Sequence, residues 1–403
     1  MNLKFGLVAL LISSFFASIV QFNFGKTEIT LENLDTGNGQ YIYYDLYKPK
    51  IASEKNKVPF IAIIPGFQRS KEALSNIAIE LSRRGYVVGL IDPYAQGLSS
   101  SSRSRIAATT QGYGMFALIE HVNESSDFNF INKELLGSTG HSMGGNAAIR
   151  GANYFGKKAD EQNKKSLLHS VYVSGYVLTL RDDVLKDVRS NVGVSYALYD
   201  EGSFRNELKN WDAANMKIAP ESLRTVNSGL KKEEHISEVE LGKYYGDLES
   251  NTLRVIINEE LLHPFQPYNA EATANQLAYF ETVFGAPIKL DTYDQIWQWK
   301  EFFTLLNMII SFWLLIPLTR TLLKINFFKT LVKPIPEALP VQNRVGKTIF
   351  WSVFFISAGI ACVTFIPLVA VSYTHLTLPT KRIVYISVDA VSLKKNGGGG
   401  GGV

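Results

Sequence analysis

Residues 135–155 read LLGSTGHSMGGNAAIRGANYF, and this stretch decides the fold. Residues 135–139 predict a short apolar strand, and residues 144–155 predict a helix. The turn between them, GHSMG at 140–144, fits the pattern G-x-S-x-G. The pattern is weak alone, but a serine on a sharp strand-to-helix turn is held exposed as a nucleophile. We therefore predict that Ser142 is catalytic; the alternative is a tight turn with an unreactive serine.

Residues 27–287 alternate between strand-like and helix-like segments, which predicts one domain. Two early segments alternate like antiparallel strands, and six later ones are short and rich in β-branched residues, like strands buried on both faces of a parallel sheet. The predicted strands are 27–34, 41–47, 59–64, 86–91, 135–139, 170–174, 192–198 and 253–257, and the predicted helices are 71–84, 109–121, 144–155 and 270–284. This order predicts an α/β fold with a mostly parallel, doubly wound sheet.

Three motifs within residues 27–284 resemble the α/β-hydrolase family. GHSMGG at 140–145 is a common form of that family's nucleophile turn, and IIPGF at 63–67 resembles its oxyanion segment. DPYAQGLS at 92–99 resembles a stretch that is structural in the family, so Asp92 receives no catalytic role. The resemblance implies the α/β-hydrolase fold and acyl-transfer chemistry.

The resemblance also implies an oxyanion hole made of backbone N–H groups. Phe67 and Met143 are the expected donors, and Gln68 is a second candidate for the first donor. Pro65 stands where the family usually has histidine. Because the donors are backbone groups, the loss of that side chain is tolerable.

A serine hydroxyl needs a base to take its proton, and this family's chain order is serine, acid, histidine. His263 follows a predicted strand and precedes the last helix of the domain, which is where the family has its base. Three other histidines fit less well by position: His121, His141 and His169. His235 follows the charged run 231–234, which indicates a solvated helix. The resemblance therefore implies that His263 is the base; the alternative is a surface loop histidine.

The acid is expected at the end of the strand predicted over residues 192–198. Asp200 is the preferred residue. Glu201 is the alternative, because a one-residue shift in register exchanges the two, and Asp182 and Asp212 are weaker candidates. Asp200 could instead only form a turn, a role that aspartate often has.

Residues 202–251 are long for a link between neighbouring elements of such a sheet. They contain several helix-like stretches. The sequence leaves two interpretations open, a lid over the site or a helical insertion.

Three apolar runs predict membrane attachment. The run 5–20 behind Lys4 predicts a signal peptide or a signal anchor within residues 1–24, and the sequence does not decide between them. Further runs predict transmembrane helices over 302–323 and 349–370. The loop between them, 324–348, is strongly basic and is therefore expected in the cytoplasm. The hydrolase-like domain is then expected outside the cytoplasm.

Composition limits the partners. The net charge of +4 over 403 residues is too small and scattered to indicate nucleic-acid binding. Cys362 is the single cysteine, so neither an internal disulfide nor a cysteine zinc cluster can form. No metal or organic cofactor is expected.

The end of the sequence looks foreign. VSYTHLTLPT at 371–380 resembles the translation of a transposon-type sequencing adapter, and a glycine run follows at 397–402. We therefore expect residues 371–403 to derive from an adapter and exclude them from fold reasoning; a genuine flexible tail is the alternative.

Together these patterns predict a membrane-tethered serine hydrolase that cleaves an ester or related acyl bond of a small-molecule or lipid substrate. The rival hypothesis is a catalytically inactive ectodomain that binds or senses a ligand. A peptidase or acyltransferase on the same scaffold is not distinguished by the sequence.

Overall fold

The computed structural model describes residues 3–37, 39–334 and 343–372. The chain forms two compact units, Met1–Leu322 and Leu323–Val403. The first unit holds the sheet and the helices packed on it. Of the segment 371–403, for which an adapter origin is predicted, all but the first two residues lie outside the described residues.

Within the described residues one sheet has nine strands, in the order β1-β2-β4-β3-β5-β6-β7-β9-β8. The strands are β1 (Thr27–Gly37), β2 (Gln40–Pro49), β3 (Val58–Ile64), β4 (Val87–Ile91), β5 (Ile131–His141), β6 (Ser170–Ser174), β7 (Asn191–Ala197), β8 (Tyr244–Tyr245) and β9 (Arg254–Glu259). Strands β3 to β7 and β9 are parallel, while β1, β2 and β8 pair antiparallel. The edge at which the parallel strands end is called the carboxyl edge below.

Helices cover both faces of this sheet. In chain order the helices of the described residues are α1 (Leu3–Gln21), α2 (Ser75–Arg83), α3 (Ala107–Thr110), α4 (Met115–Glu124), α5 (Met143–Gln162), α6 (Asp182–Leu185), α7 (Pro220–Asn227), α8 (Ala270–Phe284), α9 (Trp297–Leu322), α10 (Asn326–Lys329) and α11 (Arg344–Ser372). Helices α10 and α11 belong to the second unit.

Strand β3 illustrates why the sheet is buried on both sides. Phe60 and Ala62 belong to the core beneath α4 and α5, whereas Ile61 and Ile63 belong to the core beneath α2 and α8. Successive side chains of a strand point to opposite faces, so an unbroken apolar strand requires cover on both. A parallel sheet covered in this way is the predicted doubly wound arrangement.

The helix predicted over residues 109–121 is broken in the structure. The pattern over 109–121 predicts a continuous helix, but the chain has α3, a 3-10 turn at Gly112–Gly114, and then α4. Gly114 has φ of 99°, and a Cβ atom there would lie 2.5 Å from Ile42 Cγ2. A positive φ at a point of close packing breaks the helix, and glycine permits both. The two-residue strand β8 is also absent from the sequence prediction.

The long apolar helices α1 and α9 pack against each other. Ser13 Oγ donates a hydrogen bond to the carbonyl oxygen of Phe303 at 3.0 Å, and a Cβ atom on Gly6 would touch the side chain of Leu314. The two helices are therefore antiparallel. By length and composition α1, α9 and the stretch Arg344–Phe365 of α11 could each cross a membrane.

Candidate active site

Ser142 lies at the carboxyl edge, on the turn between β5 and α5. Its backbone has φ of 57° and ψ of −122°, a region that costs a non-glycine residue about 1–3 kcal/mol. Its N–H group donates to the carbonyl oxygen of Ser174 at 2.8 Å, which ties the turn to the end of β6. The strained turn presents a half-buried serine above the sheet.

The glycines around Ser142 are required by close backbone contacts. A Cβ atom on Gly144 would collide with the carbonyl oxygen of Ile64, and one on Gly145 would lie 2.8 Å from the carbonyl oxygen of Ser174. Helix α5 can therefore start directly against the ends of β3 and β6 only because these positions lack side chains.

The backbone N–H groups of Phe67 and Met143 lie near the serine and have no hydrogen-bond partner among residues 3–37, 39–334 and 343–372. Gly66 approaches Ser142 closely, since a Cβ atom there would lie 3.2 Å from Ser142 Cβ and 3.8 Å from its Oγ. Met143 is the first residue of α5, where a helix leaves its N–H groups free and its dipole favours negative charge. These features suit donors to an oxyanion.

Asp200 and His263 lie on neighbouring loops at the same edge. His263 Nδ1 is 2.7 Å from Asp200 Oδ2. Asp200 Oδ1 also accepts the N–H of Gly202 at 2.6 Å, and the Asp200 side chain is 4% exposed against 21% for His263. The adjacent Glu201 is exposed.

The sheet itself holds these two loops together. Beyond the ends of β7 and β9, the N–H of Leu198 donates to the carbonyl oxygen of Glu259 at 2.7 Å, and the N–H of Tyr199 donates to that of Leu261 at 3.0 Å. The loop that carries the acid is thereby fixed to the loop that carries the histidine.

One cleft of about 1360 Å³ is lined by all five predicted site residues, and Gln68 and Glu201 line it as well. The five residues are Ser142, Asp200, His263, Phe67 and Met143. Aromatic and apolar residues contribute much of the remaining wall: Tyr94, Ile106, Tyr113, Tyr176, Val177 and Tyr196. The cleft combines a few polar groups with an apolar surround, as binding sites for small organic molecules do.

A family model described as PETase, PET hydrolase-like, matches residues 13–201. The matched segment contains Ser142 and Asp200 and ends before His263. The domain has an α/β-hydrolase fold.

Solved structures of this fold resemble the chain only distantly. An esterase from Pyrococcus furiosus, Pf2001, is 11% identical with a TM-score of 0.43, covering 64% of this chain and 93% of its own. A dienelactone hydrolase from Anabaena variabilis is 14% identical with a TM-score of 0.41, covering 64% and 99%. The α/β-hydrolase GrgF from Penicillium sp. is 12% identical with a TM-score of 0.43, covering 64% and 99%. No curated protein matches the sequence.

His141 lies directly beside the candidate base of this α/β-hydrolase domain. The ring centroids of His141 and His263 are 4.6 Å apart at an interplanar angle of 40°. Burial, followed by the charge of His263, lowers the pKa of His141 to about 3. His141 is therefore neutral near neutral pH and places no positive charge beside the His263 ring.

A buried polar network supports the histidine loop, and sequence reasoning missed it. Glu259 accepts hydrogen bonds from Ser195 Oγ at 2.8 and 2.9 Å, from Gln266 Nε2 at 3.0 Å and from Asn275 Nδ2 at 3.2 Å. Gln266 belongs to the 3-10 helix His263–Tyr268, so the network anchors the segment that begins with the candidate base. Burial raises the pKa of Glu259. No motif marks these residues; the only signal was an acid at the end of a predicted strand.

Asp92 holds the loop after β4. Its carboxylate accepts the N–H groups of Lys71 at 2.8 Å and Leu98 at 3.0 Å, and its Oδ2 lies 3.5 Å from Lys71 Nζ. Asp92 is buried and does not line the cleft. These contacts fit the structural role that the sequence suggested.

The segment 202–251 packs mainly into the domain. Met216, Val226 and Val239 are buried in the core beneath α4 and α5, and the N–H of Met216 donates to Asn258 Oδ1 at 3.0 Å. Only the start of the segment, at Gly202 and Arg205, lines the cleft. Of the two interpretations left open, this geometry favours a helical insertion over a lid.

The remaining candidates for acid and base lie elsewhere or are otherwise engaged. Asp182, Asp212, His121, His169 and His235 are all absent from the cleft wall. The stretch around His235, which the sequence suggests is a solvated helix, forms only the 3-10 turn Lys232–Glu234. Among the described residues no group of three or more His, Cys, Asp or Glu side chains could hold a metal ion.

Proposed function

We propose that this protein is a serine hydrolase that cleaves an ester or related acyl bond. The observation that carries the proposal is the hydrogen bond between His263 and Asp200, in the same cleft as a serine held at positive φ. Ser142 Oγ attacks the carbonyl carbon while His263 Nε2 takes its proton. The proton then passes to the leaving group, and a water molecule releases the acyl group by the same steps in reverse.

Asp200 sets the protonation pattern of the histidine. With Nδ1–H donating to Asp200 Oδ2 at 2.7 Å, the lone pair of the neutral ring is on Nε2. The carboxylate also stabilises the imidazolium that forms as Ser142 attacks. Asp200 itself keeps no proton in this scheme.

The N–H groups of Phe67 and Met143 are the proposed oxyanion donors. Both lack partners among the described residues, so they need not break a bond to serve. A donor that is already in place stabilises the developing charge by roughly 3–4 kcal/mol in measured cases.

Ester chemistry is favoured over amide chemistry by the family match. The matching model is described as PET hydrolase-like, which names a polyester as substrate of that family. The wide, partly aromatic cleft of this chain would accept a bulky apolar acyl or alcohol group.

We propose further that α1, α9 and α11 cross a membrane. All three are long and apolar enough to do so, and the loop between α9 and α11 is basic. By the positive-inside rule that loop is cytoplasmic, which leaves the hydrolase domain outside. Protease added to intact cells should digest the domain and spare a tag placed in the loop; protection of the domain with loss of the tag would invert the topology.

Fluorophosphonate labelling tests the hydrolase proposal. An activated serine attacks such probes because the adduct imitates the tetrahedral intermediate. The full-length protein in detergent should label at one residue, mapped to Ser142, and Ser142→Ala should abolish labelling. Ser101→Ala, which alters an exposed serine of the same cleft, is the matched control and should label normally. A folded wild-type protein that no such probe labels would favour the binding-domain hypothesis.

A further inference from the structure

The segment that leads into α9 runs antiparallel to α2. The N–H of Ile288 donates to the carbonyl oxygen of Arg84 at 3.0 Å, just after α2 ends. Glu80, in the middle of α2, accepts two N–H bonds at the start of α9, at 2.7 and 3.1 Å. Lys300 Nζ lies 2.9 Å from Ser75 Oγ, at the first residue of α2. The chain therefore passes from the end of α2 to its beginning.

This direction carries α9 past the carboxyl edge. Strand β3 ends at that edge and α2 leads back from it toward the start of β4, so Ser75 lies near the edge. Helix α9 continues without interruption to Leu322. At a rise of about 1.5 Å per residue, the part after Lys300 extends about 33 Å beyond this level.

Helix α1 leaves the domain on the same side. It lies antiparallel to α9, with Ser13 beside Phe303 and Gly6 beside Leu314. The first half of α1 therefore also lies beyond the carboxyl edge. Two helices that could span a membrane project from the edge of the sheet that carries Ser142.

Almost no polar linker separates the domain from the apolar part of α9. Trp297 is buried against the domain, yet Trp299 is already 59% exposed and Phe302 is 52% exposed. Tryptophan is enriched where a membrane-spanning helix meets water. The membrane surface would then lie within about two helical turns of the carboxyl edge.

The loops at this edge that carry cleft-lining residues also expose large apolar side chains. These side chains follow the ends of four different strands. Together they are called the rim: Phe67, Leu98, Ile106, Tyr199, Leu262 and Phe265. Each is between 46% and 65% exposed. Such a concentration of exposed apolar side chains indicates contact with a partner surface.

We propose that the rim rests on the bilayer that anchors the chain, so that the active-site cleft opens onto the membrane surface and takes acyl esters directly from it. The occupant is a lipid surface because α1 and α9, which are both long and apolar enough to cross a membrane, project from this edge. An acyl chain could then move from the bilayer into the cleft without crossing water. The substrate class rests on the proposed hydrolase function, whereas the orientation of the domain does not.

Depth-dependent quenching tests the orientation without any need for activity. The full-length chain carrying Cys362→Ser is given one new cysteine, labelled with a fluorophore and reconstituted in phosphatidylcholine vesicles. Leu98→Cys and Phe265→Cys place the dye on the rim. Tyr293→Cys is the matched control, because Tyr293 is 64% exposed beside the opposite end of α2. Brominated lipid chains should quench both rim dyes and leave the control dye unchanged. Equal quenching at all three positions, or none at any, would overturn the proposal.

Turnover of two esters tests the substrate class. Leu98→Asp should lower hydrolysis of a fluorogenic long-chain diacyl ester embedded in the vesicles by about tenfold, since a charge replaces an apolar contact with the bilayer. Hydrolysis of 4-nitrophenyl acetate in water should stay unchanged, because Leu98 is outside the cleft wall. Tyr293→Asp should leave both rates unchanged. Equal losses on the bilayer ester for both variants would contradict the proposal.

The two proposals fail in different ways. If neither ester is hydrolysed and no probe labels Ser142, while the rim dyes are quenched, the hydrolase proposal fails and the membrane-facing cleft stands. If the acetate is hydrolysed and the rim dyes are not quenched, the hydrolase proposal stands and the orientation is wrong.

Discussion

His263 Nδ1 lies 2.7 Å from Asp200 Oδ2, and this pair joins the loop after β9 to the loop after β7. The next residue, Glu201, is exposed to solvent. The two acids are adjacent in sequence, yet the buried one faces the histidine. Single substitutions of Asp200 and Glu201 therefore test which of the two is the acid.

Asp200→Asn should lower kcat by roughly 10⁴-fold, because an amide beside Nδ1 favours the wrong histidine tautomer. Ser142→Ala should cost more, roughly 10⁶-fold. Glu201→Gln is the isosteric control and should keep nearly wild-type activity. Steady-state hydrolysis of 4-nitrophenyl acetate measures all three. A large loss for Glu201→Gln with none for Asp200→Asn would show that the glutamate is the acid.

The serine turn could be predicted from sequence because its requirements are local. The strand, the glycines of the turn and the helix all lie within residues 135–155, and each has its own sequence pattern. The break in the helix at Gly112–Gly114 could not be predicted in this way. It is accompanied by a contact with Ile42, which lies about 70 positions away in the sequence. The support that Glu259 gives to the histidine loop depends likewise on Ser195, on another strand.

Glu259 predicts a pH dependence of stability. Burial raises its pKa in the folded protein above the ordinary value, so the folded state binds the proton more readily than the unfolded state. Its contribution to stability is therefore full below the unfolded pKa and is lost as pH rises through the folded pKa. Glu259→Gln cannot titrate and should lack this part of the decline. Thermal unfolding of both proteins in detergent between pH 4 and 8 measures it; parallel curves would refute the expectation.

His141 should be replaceable without moving the pH profile. Burial holds the pKa of His141 at about 3, so this residue stays neutral throughout the working range and should contribute nothing to the acid limb of kcat/KM. His141→Phe retains an aromatic ring beside His263 and should leave the midpoint of that limb in place. The profile is measured from pH 5 to 9. A shift of the midpoint by a full pH unit would mean that His141 titrates within the working range.

Gly66→Ala should lower activity, whereas Gly144→Ala should lower stability. A Cβ atom on Gly66 would lie 3.0 Å from the carbonyl oxygen of His141 and 3.2 Å from Ser142 Cβ, which crowds the nucleophile with little strain elsewhere. We expect kcat to fall by about tenfold to a hundredfold with the melting temperature nearly unchanged. On Gly144 the same atom would collide with the carbonyl oxygen of Ile64, so that variant should unfold at lower temperature. Equal melting temperatures for the two variants would contradict this contrast.

The packing of α1 on α9 predicts that α1 is retained as an anchor rather than removed as a signal peptide. Ser13 is 2% exposed and bonded to Phe303, and Gly6 leaves room for Leu314, so α1 fills a place that its removal would empty. Small residues allow such close approach of helices in a bilayer. A tag at the N-terminus should therefore remain on the protein recovered from membranes.

In a Cys362→Ser background, the pair Gly6→Cys and Leu314→Cys should form a disulfide that keeps α1 and α9 linked after the domain is cut by protease. The pair Leu11→Cys and Leu314→Cys should not, since Leu11 is 70% exposed. Recovery of a chain that has lost the tag and begins after residue 21 would show instead that α1 is cleaved.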